Sequence, residues 1–214
     1  MIGSYPTEIK RKAEGHYFIE FEKAAFATLK LTLTGKAEGG TLKIRVGEKR
    51  NGKSSVDRNP GGSIVYKEVD LVLFKGTNSY EVSLPRQYSN YPNSQVLADH
   101  VPEVTSFRYA EIIGKISELK KTDVLQAALF YKFDDKASSF KSSDEDLNKV
   151  WEISKYTLKA TPFLGIYADG TRERSPYEGV AFILVKINSL ALEQALLLKM
   201  CWNQYTLKEV ASEI

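Results

Sequence analysis

The sequence has few of the residues from which chemical sites are usually recognised. Cys201 is its single cysteine, so no disulfide can close within the chain. The two histidines, His16 and His100, lie far apart, and neither has a second ligand at metal spacing. No zinc site is expected, and no cofactor motif stands out. Charge of one sign is equally scarce: 30 Lys and Arg against 27 Asp and Glu leave a formal +3. Apart from a short basic run at Lys115 to Lys121 the signs are interleaved, which excludes the clustered basic face of a nucleic-acid binder. There is no long uninterrupted apolar run. The most apolar window, Val180 to Met200, is broken by Lys186, Asn188, Glu193, Gln194 and Lys199. It reads as a core helix of a soluble protein rather than a membrane span. The opening stretch MIGSYPTEIKRKAEG has no apolar h-region, so no signal peptide is expected, and the compartment stays open.

What is present is an ordinary globular composition, 43% hydrophobic and 11% aromatic, in a chain of 214 residues. That argues against disorder. Up to residue 133 the apolar residues recur with period two, as in half-buried strands. YFIEF, AFATLKLTLT, TLKIRV, SIVYKEVDLVL, YEVSL, FRYAEII and VLQAALFYKF form the series, and AEGG and GEKRNGKSSVDRNPGG punctuate it as hairpin loops. In TLKIRV, Leu42, Ile44 and Val46 share one face and Lys43 and Arg45 the other. Seven or so short strands at this spacing predict an antiparallel β-sandwich with Phe18, Phe26, Leu31, Ile44, Val46, Leu71 and Leu73 in its core.

Beyond about Asp135 the period changes. SSDEDLNKVWEISKYTLKAT begins with Ser143 three residues before Asp146, a capping-box type of start. Leu147, Val150, Trp151, Ser154 and Leu158 then fall on one helical face, and Pro162 ends the run. A second helix is expected from about Pro176 or Gly179 to Lys199. Strands followed by segregated helices imply separate domains. The expected division is a β-sandwich at 1–133, a linker at 134–142 and a helical domain at 143–214.

Two motifs carry possible chemistry. GEKRNGKS, Gly47 to Ser54, matches the phosphate-loop pattern, but that pattern requires a helix to follow. Pro60, Gly61 and Gly62 forbid one, so the segment reads as a hairpin loop. The second is DGTRERSPYEGV, residues 169 to 180, which sets five charges between apolar flanks that read as helices. Asp169, Arg172, Glu173, Arg174 and Glu178 lie beside Tyr167 and Tyr177. On pattern alone a solvated turn between helices competes with a site in which carboxylates, arginines and aromatic faces bind a sugar.

The run KYTLKATPFLGIYADGTRERSPYEG resembles the start of the catalytic domain of glycoside hydrolase family 78, the bacterial α-L-rhamnosidases. That family carries D-G-x-R-E-R-x-P-Y-E-(A/G)-D-A. The likeness extends upstream through SSDEDLNKVWE, SFRYAEI, NPGGSIVY, RVGEK and FIEFEKAAFATLKL, from about residue 5 to 179. It implies an (α/α)6 barrel after the sandwich and inverting hydrolysis of terminal α-L-rhamnosides without a cofactor. Glu173 then corresponds to the general acid, Asp169 and Arg172 to residues that bind rhamnose hydroxyls, and Tyr177 to an aromatic beside the sugar. One departure is Val180, where the family has a second substrate-binding Asp. The other is length. Such a barrel has about twelve helices of roughly 10–20 residues each. Inversion also needs a base about 6.5–9.5 Å from the acid, which the family supplies later in its chain. The expectation is therefore a truncated rhamnosidase with the first two or three barrel helices, inactive alone. A non-catalytic carbohydrate-binding or interaction module and a degenerate gene product are the alternatives. The expected partner is a rhamnose-containing glycan, with self-association possible through residues 180–198.

Overall fold

The computed structural model describes residues 1–35, 39–86, 94–130, 132–163, 166–167 and 173–176. The second helix expected beyond Gly179, Val180 and the apolar segment 180–198 lie outside them. The chain divides into two compact units, one of residues 1–87 and 97–129, the other of residues 88–96 and 130–214. The described residues are mostly antiparallel β-sheet with a single α-helix, an architecture consistent with a β-sandwich.

The first unit contains β1 (Ile2–Ser4), β2 (Glu8–Ala13), β3 (His16–Gly35), β4 (Gly40–Gly47), β5 (Arg50–Asn51), β6 (Ser55–Val56), β7 (Tyr66–Leu73), β8 (Gly76–Glu81), β9 (Thr105–Ile113) and β10 (Val124–Ala128). β3 is its axis. At its start it pairs with β2 and β9, and towards its end with β10 and β8. The sequence pattern predicts two strands here. One continuous strand forms because no Gly, Pro, Asn or Asp separates Phe21 from Ala25, and a register shift between Glu20 and Ala25 absorbs the bend. Outside β3 the ladder runs through β9 to β4 and ends at β7, while β10 carries β1 on its far side. Gly15 (φ +67°) lets β2 turn into β3 where the Gly114 backbone comes so close that a side chain at Gly15 would collide with it.

Five of the seven expected core residues are buried: Phe18, Leu31, Ile44, Val46 and Leu73. Phe26 is only half-buried, because beyond the bulge the odd positions Ala27, Leu29, Leu31 and Leu33 point inward. Leu71 is also half-buried, since β7 ends the ladder and has a partner on one side. Phe18 stacks on Tyr109 at 5.9 Å, and Phe21 meets Phe107 edge to face at 5.8 Å. The segment GEKRNGKS does form a hairpin. Arg50 pairs with Val56 and Asn51 with Ser55, leaving no helix for a phosphate to cap.

Arg45, expected on the outer face, is buried. Its Nε donates to Glu68 (2.7 Å) and its Nη1 to Glu111 (3.1 Å), so the buried guanidinium is hydrogen-bonded to two carboxylates. Glu111 also accepts the Val56 N–H at 3.0 Å. Burial alone would push the Glu111 carboxyl up, but the Val56 N–H and the Arg45 guanidinium hold it below the ordinary carboxylate value. Glu68 is lowered to about 2 by hydrogen bonds from Lys43, Arg45 and Tyr66, in that order.

In the second unit, α1 (Glu145–Ala160) begins at Asp144, whose side chain accepts the Asp146 N–H at 2.9 Å. The cap is thus one residue later than the expected Ser143. Glu145 and Asp146 sit in the first turn and Lys159 in the last, matching the helix dipole. The expected apolar face is only partly buried. Leu158 is buried and Trp151 half-buried against Phe140 (5.6 Å), but Leu147 and Val150 are exposed, as is Ile153 outside the expected face. No described helix is long and apolar enough to cross a membrane.

Candidate active site

Pro162 follows the cap residue Thr161 and cannot continue the helix ladder. The expected helical flank of the charged motif is instead an antiparallel pair, β11 (Pro162–Phe163) with β12 (Ile166–Tyr167), in the register Pro162 to Tyr167 and Phe163 to Ile166. This pair leads into the motif. Asp169, Arg172 and Tyr177 lie outside the described residues. Glu173 is described.

Glu173 is the first of four consecutive buried residues. It is 5% exposed, Arg174 1% and Ser175 4%, and Pro176 is buried too. So much charge in so short a buried stretch is not the pattern of a solvated turn, because buried charges have to be paired or hydrogen-bonded. Arg174 has φ 51°, and no other described non-glycine residue has a positive φ. For an L-residue this region costs about 1–2 kcal/mol. Two contacts oppose that cost. The Arg174 carbonyl accepts the Gln95 N–H at 2.9 Å, and its guanidinium carbon lies 4.7 Å from the centroid of Phe163. A desolvated cation over an aromatic face contributes about 2 kcal/mol. Ser175 Oγ donates to the Glu173 carbonyl at 3.3 Å, tightening the turn from within.

The motif nominates Glu173, and the sequence gives no sign of the contacts made by the residue that follows it. Phe163 and Gln95 received no role, and nothing in the sequence links Gln95 to a turn so far downstream. Arg174 was seen only as one charge among five.

Comparison with known proteins covers the stretch that contains this turn. Residues 135–208 match the family model described as the bacterial alpha-L-rhamnosidase 6 hairpin glycosidase domain. The match begins ahead of α1 and contains Glu173. The resemblance to bacterial α-L-rhamnosidases thus rests on a family model as well as on quoted motifs.

The particular relatives are structural. The α-L-rhamnosidase from Dictyoglumus thermophilum superposes with a TM-score of 0.58 at 16% identity, over 83% of this chain and 18% of its own. The Streptomyces avermitilis α-L-rhamnosidase complexed with L-rhamnose gives 0.54 at 15% identity, over 82% of this chain and 15% of its own. The Klebsiella oxytoca rhamnosidase with rhamnose bound gives 0.52 at 14% identity, over 86% and 34%. At such identities the shared property is the fold, and the chain spans about a third of these relatives' length or less. No curated protein matches the sequence.

Proposed function

We propose that this chain carries the acid half of a rhamnosidase-type glycosidase site, with a terminal α-L-rhamnoside as substrate. The observation that supports this reading is the family match over residues 135–208, a stretch that includes Glu173. Glu173 is assigned as the general acid that protonates the leaving glycosidic oxygen. Asp169 and Arg172 are assigned to the sugar hydroxyls, and Tyr177 to the ring face. Such an acid must hold its proton at working pH, and seclusion from water is one physical means to that end. Acid–base hydrolysis of this kind needs no cofactor.

The same reading divides the chain into a β domain at 1–133, a linker at 134–142 and, from 143 onward, the opening helices of an α/α barrel. A break between compact units after Leu129 and a helix starting at Glu145 support a change of architecture in this region, although residues 88–96 belong to the second unit. Self-association through 180–198 belongs to the proposal as well, and sedimentation of the purified chain reads it directly.

Inversion requires a second carboxylate about 6.5–9.5 Å from the acid, and this reading assigns none among the 214 residues. Turnover by these residues alone is therefore expected far below the common enzymatic rate of about 10 per second. Binding is the informative measurement. Calorimetric binding of an aryl α-L-rhamnoside that weakens in Arg172→Ala supports the reading, as does loss of any residual cleavage in Glu173→Gln. A chain that neither binds nor cleaves the rhamnoside overturns it.

A further inference from the structure

A left-handed backbone at a residue other than glycine persists only where its surroundings over-determine it. Glycine would adopt φ 51° without steric cost, yet this turn places a buried arginine there, next to the candidate acid. An arginine at this position brings side-chain contacts that glycine would lack. What it does is visible in its contacts. The guanidinium lies over Phe163 of β11, and the carbonyl is held by the Gln95 N–H from a segment that leaves the first unit to join the second. The turn is gripped from the side chain and from the backbone at one residue, immediately after Glu173.

We propose that Arg174 is a positioning residue, which fixes the direction of the Glu173 carboxyl through its stack on Phe163 and the Gln95 clamp. The inference rests on the reading of Glu173 as the acid. It adds that the acid's environment is set by a contact made one residue along the chain. Arginine suits this task because its planar guanidinium lies flat on a ring, whereas the compact ammonium of lysine fits the face less well.

The test follows the Glu173 carboxyl itself. In the full chain with carboxyl-labelled glutamate, its resonance is identified by its disappearance in Glu173→Gln and is then followed through pH. Arg174→Ala and Arg174→Gly are both expected to move its midpoint by about one unit, a tenfold change in the protonation ratio. Arg174→Lys is expected to restore part of the wild-type value. The glycine variant separates the two possible roles. If only the left-handed backbone mattered, glycine would keep the wild-type midpoint, and that result overturns the proposal. An unmoved midpoint in Arg174→Ala does the same. Should the Arg174 variants fail to fold, Phe163→Leu removes the ring but keeps an apolar side chain. A midpoint shift there supports the proposal, and an unchanged midpoint overturns it. Rhamnoside binding is scored separately. No binding with an Arg174-dependent midpoint overturns the glycosidase reading and leaves the positioning intact, while binding with an Arg174-independent midpoint does the reverse.

Discussion

The two units bury their apolar residues by different rules. Along β3 from Lys30 to Gly35, exposed and buried residues alternate without exception, and β8 pairs with the whole stretch while β10 pairs with its first two residues. In α1 the apolar residues divide between a buried side at Leu158 and an exposed side at Leu147, Val150 and Ile153. A strand's two faces are settled by its neighbours in the ladder, whereas a helix presents apolar positions in more directions than one neighbour can cover. Local alternation therefore places a strand's apolar residues where no bulge changes their parity, and helical periodicity leaves the choice of face to the rest of the domain.

The contrast can be broken or sharpened by experiment. The largest effect belongs to the strand core. Phe107→Ala, at a fully buried ring, is expected to cost about 3–5 kcal/mol in denaturant unfolding. A cost under about 1 kcal/mol would mean that the β unit is packed no better than the exposed side of α1. Next comes acid. The folded-state value of Glu68 is depressed to about 2 from the ordinary 4.5, so its contribution is present above about pH 4.5. It is lost as pH falls from there towards 2, and Glu68→Gln is expected to flatten the stability profile over that window. An unaltered profile would leave the Arg45 network without a measurable part in stability. Smaller again is the helix cap: Asp144→Ala is expected to lower the stability of α1 by about 1 kcal/mol, seen as faster amide exchange in its first turn. Smallest is Ile153→Ser on the exposed side, expected within about 0.5 kcal/mol of wild type. A loss above about 2 kcal/mol would show that this side of the helix is covered in solution.

How far the sequence could be read follows the same division. Leu42, Ile44 and Val46 were legible because strict alternation leaves no second choice of face. β1 and β2 were not: Ile2, Gly3 and Ser4 are all exposed, and β2 has only Ile9 and Ala13 as apolar residues, so neither alternates. Phe26 was misplaced because a bulge changes parity without leaving a mark in composition. Arg45 was misread because a charged residue predicts an outer face unless its partners are known, and Glu111 stands 66 residues away. At the candidate site the motif pointed to Glu173, while the grip on Arg174 depends on Gln95 and Phe163, whose approach is purely tertiary.

The length of β3 has a consequence for how the protein is made. Near its end the strand has β8 on one side, and on the other side β10 pairs Leu31 with Val124. During synthesis β3 emerges early, but its final partner is complete only when Ala128 has left the ribosome. Until then the stretch Ala27 to Leu31 waits with one edge open, and the closing contact joins residues far apart in the sequence, which is intrinsically slow. Lys30, exposed on that stretch, places a charge beside the waiting edge.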